Sequence, residues 1–239
     1  MAILNVSRIL LTPLVVLLLA AVGVTIALAG SNGAGGPVTK SEAIAFARAV
    51  NLQASDLAGA KKVEPPSYEV ARDEHEAAAS WSRTLKCARP GIVVHRPIDV
   101  EPSVLAGTPW VVGSAVRVMP SEAIAAAEVA AFASRRGHVC FARAADVQIT
   151  SENAPLGPYP VTATFIPLTR LLGSGAIDVH ALIRESFRGK HWFLHSDAVL
   201  FRVGRAGIAF SVVGKTPFPV ATEERLLSVL HGRAEAHKL

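Results

Sequence analysis

The sequence predicts an α+β fold: an antiparallel sheet of about five to six strands, covered on one face by helices and preceded by one N-terminal transmembrane or signal helix. Three observations predict it. The C-terminal half holds four extended runs rich in Val, Ile, Phe and Thr, separated by glycine or charged pairs. Helical patterns stand before and after them. The block Ile9–Gly30 is apolar and carries no charge.

That block is long enough as a helix, at about 1.5 Å per residue, to cross a hydrocarbon core of about 30 Å. Arg8 is the only charge before it and Lys40 the first after it, which places the N-terminus in the cytoplasm and the remainder outside. A cleaved signal peptide is the competing reading, because Ala27-Leu28-Ala29 before Gly30 fits a small-x-small cleavage site. The chain thus divides into a signal anchor or signal peptide over 1–30, a flexible Gly/Ser spacer over 31–37, and a single exported domain over 38–239.

Within the exported part, Thr39-Lys40-Ser41-Glu42 reads as a capping box opening a helix to about Val50, with Ile44, Ala47 and Val50 on one face. Asp56–Val63 is a weak strand candidate ended by Pro65-Pro66. Asp73–Glu76 opens a helix with Ala77, Trp81 and Leu85 at spacings of four, carrying Cys87 near its end. Pro90, Pro97, Pro102 and Pro109 make the next stretch mostly loop, with a short strand at Ile92–His95. Trp110–Met119 reads as a strand, and Pro120-Ser121-Glu122 then caps an Ala-rich helix that runs to Arg136 and is closed by Gly137.

After Cys140 the pattern becomes extended: Tyr159–Leu168, Ile177–Phe187, Trp192–Val203 and Gly207–Val213 are strands, with Gly204–Gly207 a tight hairpin turn. A final helix from about Ala221 carries Leu226, Leu227, Val229 and Leu230 toward the sheet. The less covered face of the sheet over Tyr159–Val213 is the expected contact surface, and of Phe193, Phe201 and Phe210 the core should take at least two.

The anchor, the stretch SEAIAFARAVNLQASDL (Ser41–Leu57), the two cysteines around the Ala-rich helix, and the stretch from Ala198 to Leu230 together resemble a group of exported actinobacterial proteins. In layout the chain is also similar to the extracellular sensor domains of mycobacterial serine/threonine kinases and to small lipoproteins of Mog1/PsbP-like fold. The resemblance implies an exported binding or sensing domain.

Composition narrows the chemistry. Charged residues, at 18%, fall below the roughly 25% of an average soluble domain, so a disordered chain is excluded. Two cysteines are too few for a disulfide-dense scaffold. In an exported chain Cys87 and Cys140 are expected to be bridged, ahead of two buried thiols or a nucleophilic cysteine. His191, His195 and Asp197 are the cluster most like a metal site, with His180 as a possible addition. Residues four apart on one strand lie about 13 Å apart, however, so a strand does not bring His191 and His195 to one ion.

No nucleophile elbow, phosphate loop or dinucleotide glycine pattern occurs. Glu122 and Glu128 read as a helix-dipole partner and a solvated face. The net charge of +5, with basic clusters at Lys61-Lys62, Arg135-Arg136 and Arg184 to Lys190, suits ordinary solvated charge, then anionic lipid or cell-wall polymer, ahead of nucleic acid.

The sequence therefore predicts a non-catalytic sensing or binding domain at the cell envelope, with no cofactor. Its expected partners are the membrane, through the N-terminal helix, and an envelope lipid, polymer or protein. The competing reading is a cell-envelope hydrolase or metalloenzyme using His191, His195 and Asp197.

Overall fold

The computed structural model describes residues 37–63, 82–94, 98–99, 102–107, 109–152, 161–167, 176–187, 190–237 and 239. The expected membrane or signal helix lies outside these residues, as do Glu64–Pro66 and the start of the Trp81 helix. Among the described residues no helix is long and apolar enough to cross a membrane.

Helix α1 spans Lys40–Val50, as its capping box predicts. The Glu42 backbone N–H donates to Thr39 Oγ1 at 3.2 Å, and the Thr39 N–H donates to Glu42 Oε2 at 2.8 Å. Its buried face is Ala43, Phe46, Ala47 and Val50. A 3₁₀ turn, Ala54–Asp56, follows and leads to the short strand β1, Lys61–Val63. Buried hydroxyls fix this connection to the sheet: Leu52 N donates to Ser114 Oγ at 2.8 Å, and Ser103 Oγ donates to Leu52 O at 2.6 Å.

Helix α2, residues 82–88, precedes β2, Ile98–Asp99, and β3, Ser103–Ala106. The proline-rich stretch thus supplies two strands that were expected to be loop. Residues 92–94, part of the expected Ile92–His95 strand, are not in a strand. Strand β4, Trp110–Val118, matches its expected range.

Ser121 caps helix α3, Glu122–Ala133, with Oγ accepting from Ile124 N. The expectation that Gly137 closes this helix is corrected. The axis breaks at Ser134, and a second helix, α4, runs from Arg135 through Gly137 to Glu152. Ser134 Oγ accepts from Gly137 N at 2.9 Å and donates to Ala131 O at 2.7 Å, recapping the chain at the break. Gly137 is needed inside the helix, because a Cβ there would collide with the carbonyl oxygens of Ala131 and Phe132. The expected change to extended chain after Cys140 is corrected as well: Cys140 lies within α4. Cys87 of α2 and Cys140 stand in disulfide geometry with Cα atoms 5.8 Å apart, so the link joins helix to helix.

Four strands follow close to their expected ranges: β5, Val161–Pro167; β6, Ile177–Phe187; β7, Lys190–Val203; and β8, Ala206–Gly214. Val203 pairs with Ala206 across the two-residue turn Gly204-Arg205, with Gly204 at φ 56°. Helix α5, Val220–Ala236, closes the chain. All strands belong to one sheet in the order β1-β3-β4-β8-β7-β6-β5, with β2 beside β4, and every pairing is antiparallel. Six of its strands have four residues or more; β1 and β2 are shorter.

Helices cover both faces of this sheet, not one. Strand side chains alternate between faces, and the two sets enter different hydrophobic clusters. Val111, Ala115, Ala209, Val213, Val179 and Leu194 pack with Leu85, Phe132 and Cys140 of α2, α3 and α4. Val112, Val116, Val199, Phe201, Phe210 and Val212 pack with Phe46, Val50, Leu226 and Leu230 of α1 and α5. The central strand β8 is accordingly buried along its whole length.

Candidate functional site

Strands β6 and β7 form a ribbon longer than the helices above it. On the face under α1 and α5, Phe201 and Val199 of β7 are buried. Two residues further toward the β6–β7 turn the character changes. Register pairs His180 of β6 directly with Asp197 of β7, and Asp178 lies on the same face two residues before His180. His180 Nε2 donates to Asp178 Oδ2 at 2.8 Å, and Nδ1 meets Asp197 Oδ1. Both aspartates are buried, whereas His180 is partly exposed.

The hydrogen bond to Asp178, then that to Asp197, raise the His180 pKa to about 10 against the opposing effect of burial. The ring is therefore an imidazolium with both N–H groups donating. In that state it has no lone pair with which to ligate a metal or accept a proton.

Glu223, in the first turn of α5, adds a third carboxyl. Burial, then the negative charges of Asp178 and Asp197, raise its pKa to about 7, while the His180 charge works the other way. Its place near a helix N-terminus favours the carboxylate, but burial beside two anions outweighs the dipole. Three carboxyls thus share one cation where helical cover ends.

Beyond this cluster the same face carries two exposed apolar side chains. Leu182 pairs with His195, and Arg184 with Phe193. Phe193 is 48% exposed and Leu182 38%, whereas Phe201 is 0% exposed. Phe201 and Phe210 lie in the core, as expected for at least two of the three phenylalanines.

The structure separates the residues of the sequence-predicted metal cluster. Asp197 engages His180. His195 stands opposite Leu182 on one side and Gly214 on the other, and His191 is opposite Ser186 near the end of the ribbon. Among the described residues no group of three or more His, Cys, Asp or Glu is placed to hold a metal ion. Glu128, expected on a solvated face, is buried in α3. Asp178 and Glu223 were not singled out from the sequence. The local signal was Asp178-x-His180, an acid and a base two apart on one face of the strand, with Asp197 at the matching position of the next strand.

A second ionic contact holds the opposite part of α5. Arg233 places Nη1 and Nη2 each 2.8 Å from the carboxylate oxygens of Asp56, and Arg225 donates to the Asp56 carbonyl at 2.8 Å. Burial alone would raise the Asp56 carboxyl; the Arg233 hydrogen bond, with support from Gln53 N–H, leaves it lowered instead. This contact is structural, since it ties α5 to the turn after α1. No protein-family model matches the chain, and no curated protein matches it.

Proposed function

We propose that the chain is a non-catalytic binding domain, exported and held at the outer side of the cytoplasmic membrane, whose contact surface is the face of the β6–β7 ribbon that carries Leu182 and Phe193. The observation that carries this reading is the exposure of Phe193 and Leu182 on neighbouring strands of a face whose inner residues, Val199 and Phe201, are buried. The charged cluster behind them suits support better than chemistry. A general base needs a free lone pair within reach of a substrate, and the His180 imidazolium spends both nitrogens on aspartates. The apolar block Ile9–Gly30 and the spacer after it support placement at the membrane surface.

Fractionation with protease treatment of intact spheroplasts tests the placement. The full-length chain should sediment with membranes and lose its exported domain to added protease. Recovery in the soluble cytoplasm would contradict the proposal. Stoichiometric zinc, with a hydrolytic activity abolished by His191→Ala or His195→Ala in a folded protein, would favour the metalloenzyme reading instead.

A further inference from the structure

We infer that the first turn of α5 is a proton-gated latch: with Glu223 protonated it lies closed on the His180 cluster, and when that proton leaves the turn lifts from the sheet while the rest of the helix stays docked. The two ends of α5 are held in different ways. From Arg225 onward the attachment is firm. Arg225 donates to the Asp56 carbonyl, Arg233 grips both Asp56 carboxylate oxygens, and Leu226, Leu227 and Leu230 are buried in the core. At the N-terminal end Pro219 occupies the cap position and supplies no side-chain cap. The turn there closes through the Thr222 and Glu223 N–H groups, which donate to the Pro219 carbonyl at 2.9 and 3.0 Å.

Glu223 is buried under this conditional end. Facing it are Asp178 and His180 of β6 and Asp197 of β7, with Glu224 beside it on its own helix. The face that α1 buries, Ala43, Phe46, Ala47 and Val50, is uncharged, and so are Phe210 and Val212 of β8. The His180 imidazolium already spends one N–H on Asp178 and the other on Asp197, so neither is left for Glu223. A carboxylate formed here would be a third buried anion against a cation already committed, whereas the neutral acid is tolerated. Burial, then the charges of Asp178 and Asp197, accordingly hold the proton up to about 7. Lifting the turn into water removes both costs and returns the carboxyl toward its ordinary 4.5. The closed turn is thus favoured in acid and loses its advantage as pH rises through about 7. The uncovered cluster shares a face with Leu182 and Phe193, so opening enlarges the surface read as the contact face. The opening itself does not depend on that reading.

Native-state hydrogen exchange of the full chain, with rates corrected for intrinsic pH dependence, tests the latch. Linkage between 4.5 in the open turn and about 7 in the closed one predicts that the opening equilibrium at Thr222–Glu224 rises about tenfold from pH 6 to pH 8 and levels off above that. Because little surface is exposed, the rise should be insensitive to low urea, unlike exchange of the β8 amides through global unfolding. Glu223→Gln, a neutral stand-in for the protonated acid, should abolish the rise, and Glu224→Gln should leave it intact. A flat pH profile in the wild type, or a tenfold rise that survives Glu223→Gln, overturns the latch. So does a rise as steeply urea-dependent as that of the β8 amides, which would make the transition global.

Discussion

Asp178 and Asp197 come from different strands and take opposite nitrogens of one imidazole, that of His180, so a single cation holds two buried carboxylates at the edge of the helical cover. Removing it leaves like charges facing one another with no counter-ion. His180→Ala should therefore destabilise the domain by about 2 kcal/mol, a value reduced for the partial exposure of the ring. Asp178→Asn in the His180→Ala background should recover part of the loss. Denaturant titration of the three proteins checks both statements, and an unchanged midpoint for His180→Ala would refute them.

The pH dependence follows from the same groups. A raised Glu223 pKa means that the folded state holds this proton more tightly than the unfolded chain does. Its contribution is complete below the ordinary glutamate value of 4.5 and is lost as pH rises through about 7. His180 has the same sign: its contribution is complete below 6.5 and is lost as pH rises through about 10. Asp56 and Glu42, both lowered, act in the opposite sense and lose their contributions as pH falls into the acid range. Stability should therefore peak in mildly acidic solution and decline between about pH 5 and pH 8, the Glu223 part being on the order of 3 kcal/mol. Glu223→Gln should flatten that decline. Melting temperatures across this range decide it, and a wild-type protein more stable at pH 8 than at pH 5 would be the wrong sign.

The Cys87–Cys140 link closes a sequence separation of 53 residues, for which chain entropy sets a stabilisation of about 4 kcal/mol at most. Non-reducing mass spectrometry of the freshly isolated protein should find no alkylatable thiol. The Cys87→Ser/Cys140→Ser variant should unfold at lower denaturant while keeping the sheet signal in circular dichroism.

At Gly137 the prediction concerns backbone contact. Gly137→Ala should push α4 away from the carbonyls of Ala131 and Phe132 and cost more than the helix propensity of alanine returns, a net loss of about 1–3 kcal/mol. If the variant is more stable than wild type, the close approach at Ser134 is wrong.

What was legible in the sequence was local. Thr39 and Glu42 stand three apart, so the capping box declared itself, and the long runs at β6, β7 and β8 carry their own β-forming side chains. Gly137 misled because a glycine after a helical run usually marks a C-cap, whereas here tertiary packing uses its missing Cβ inside the next helix. The two-sided cover of the sheet was foreshadowed in Gly207–Val213, whose nearly unbroken apolar character suits a strand buried on both faces better than alternation does. The His180 cluster was the hardest part to foresee. It depends on the register that brings Asp197 opposite His180 and on α5 returning Glu223 to the same place, neither of which a local pattern specifies.

The most direct test of the binding reading is photo-crosslinking in cells that make the full chain, with a photoreactive phenylalanine analogue at position 193 or, as a control, at position 93. Val93 is also exposed, at 68%, but its neighbours Ile92 and Val94 pack on the opposite face of the sheet from Phe193. Light should yield a membrane-fraction adduct of defined mass from position 193 and none from position 93. Membrane-held protein that gives no adduct from 193, or equal adducts from both positions, would contradict the account.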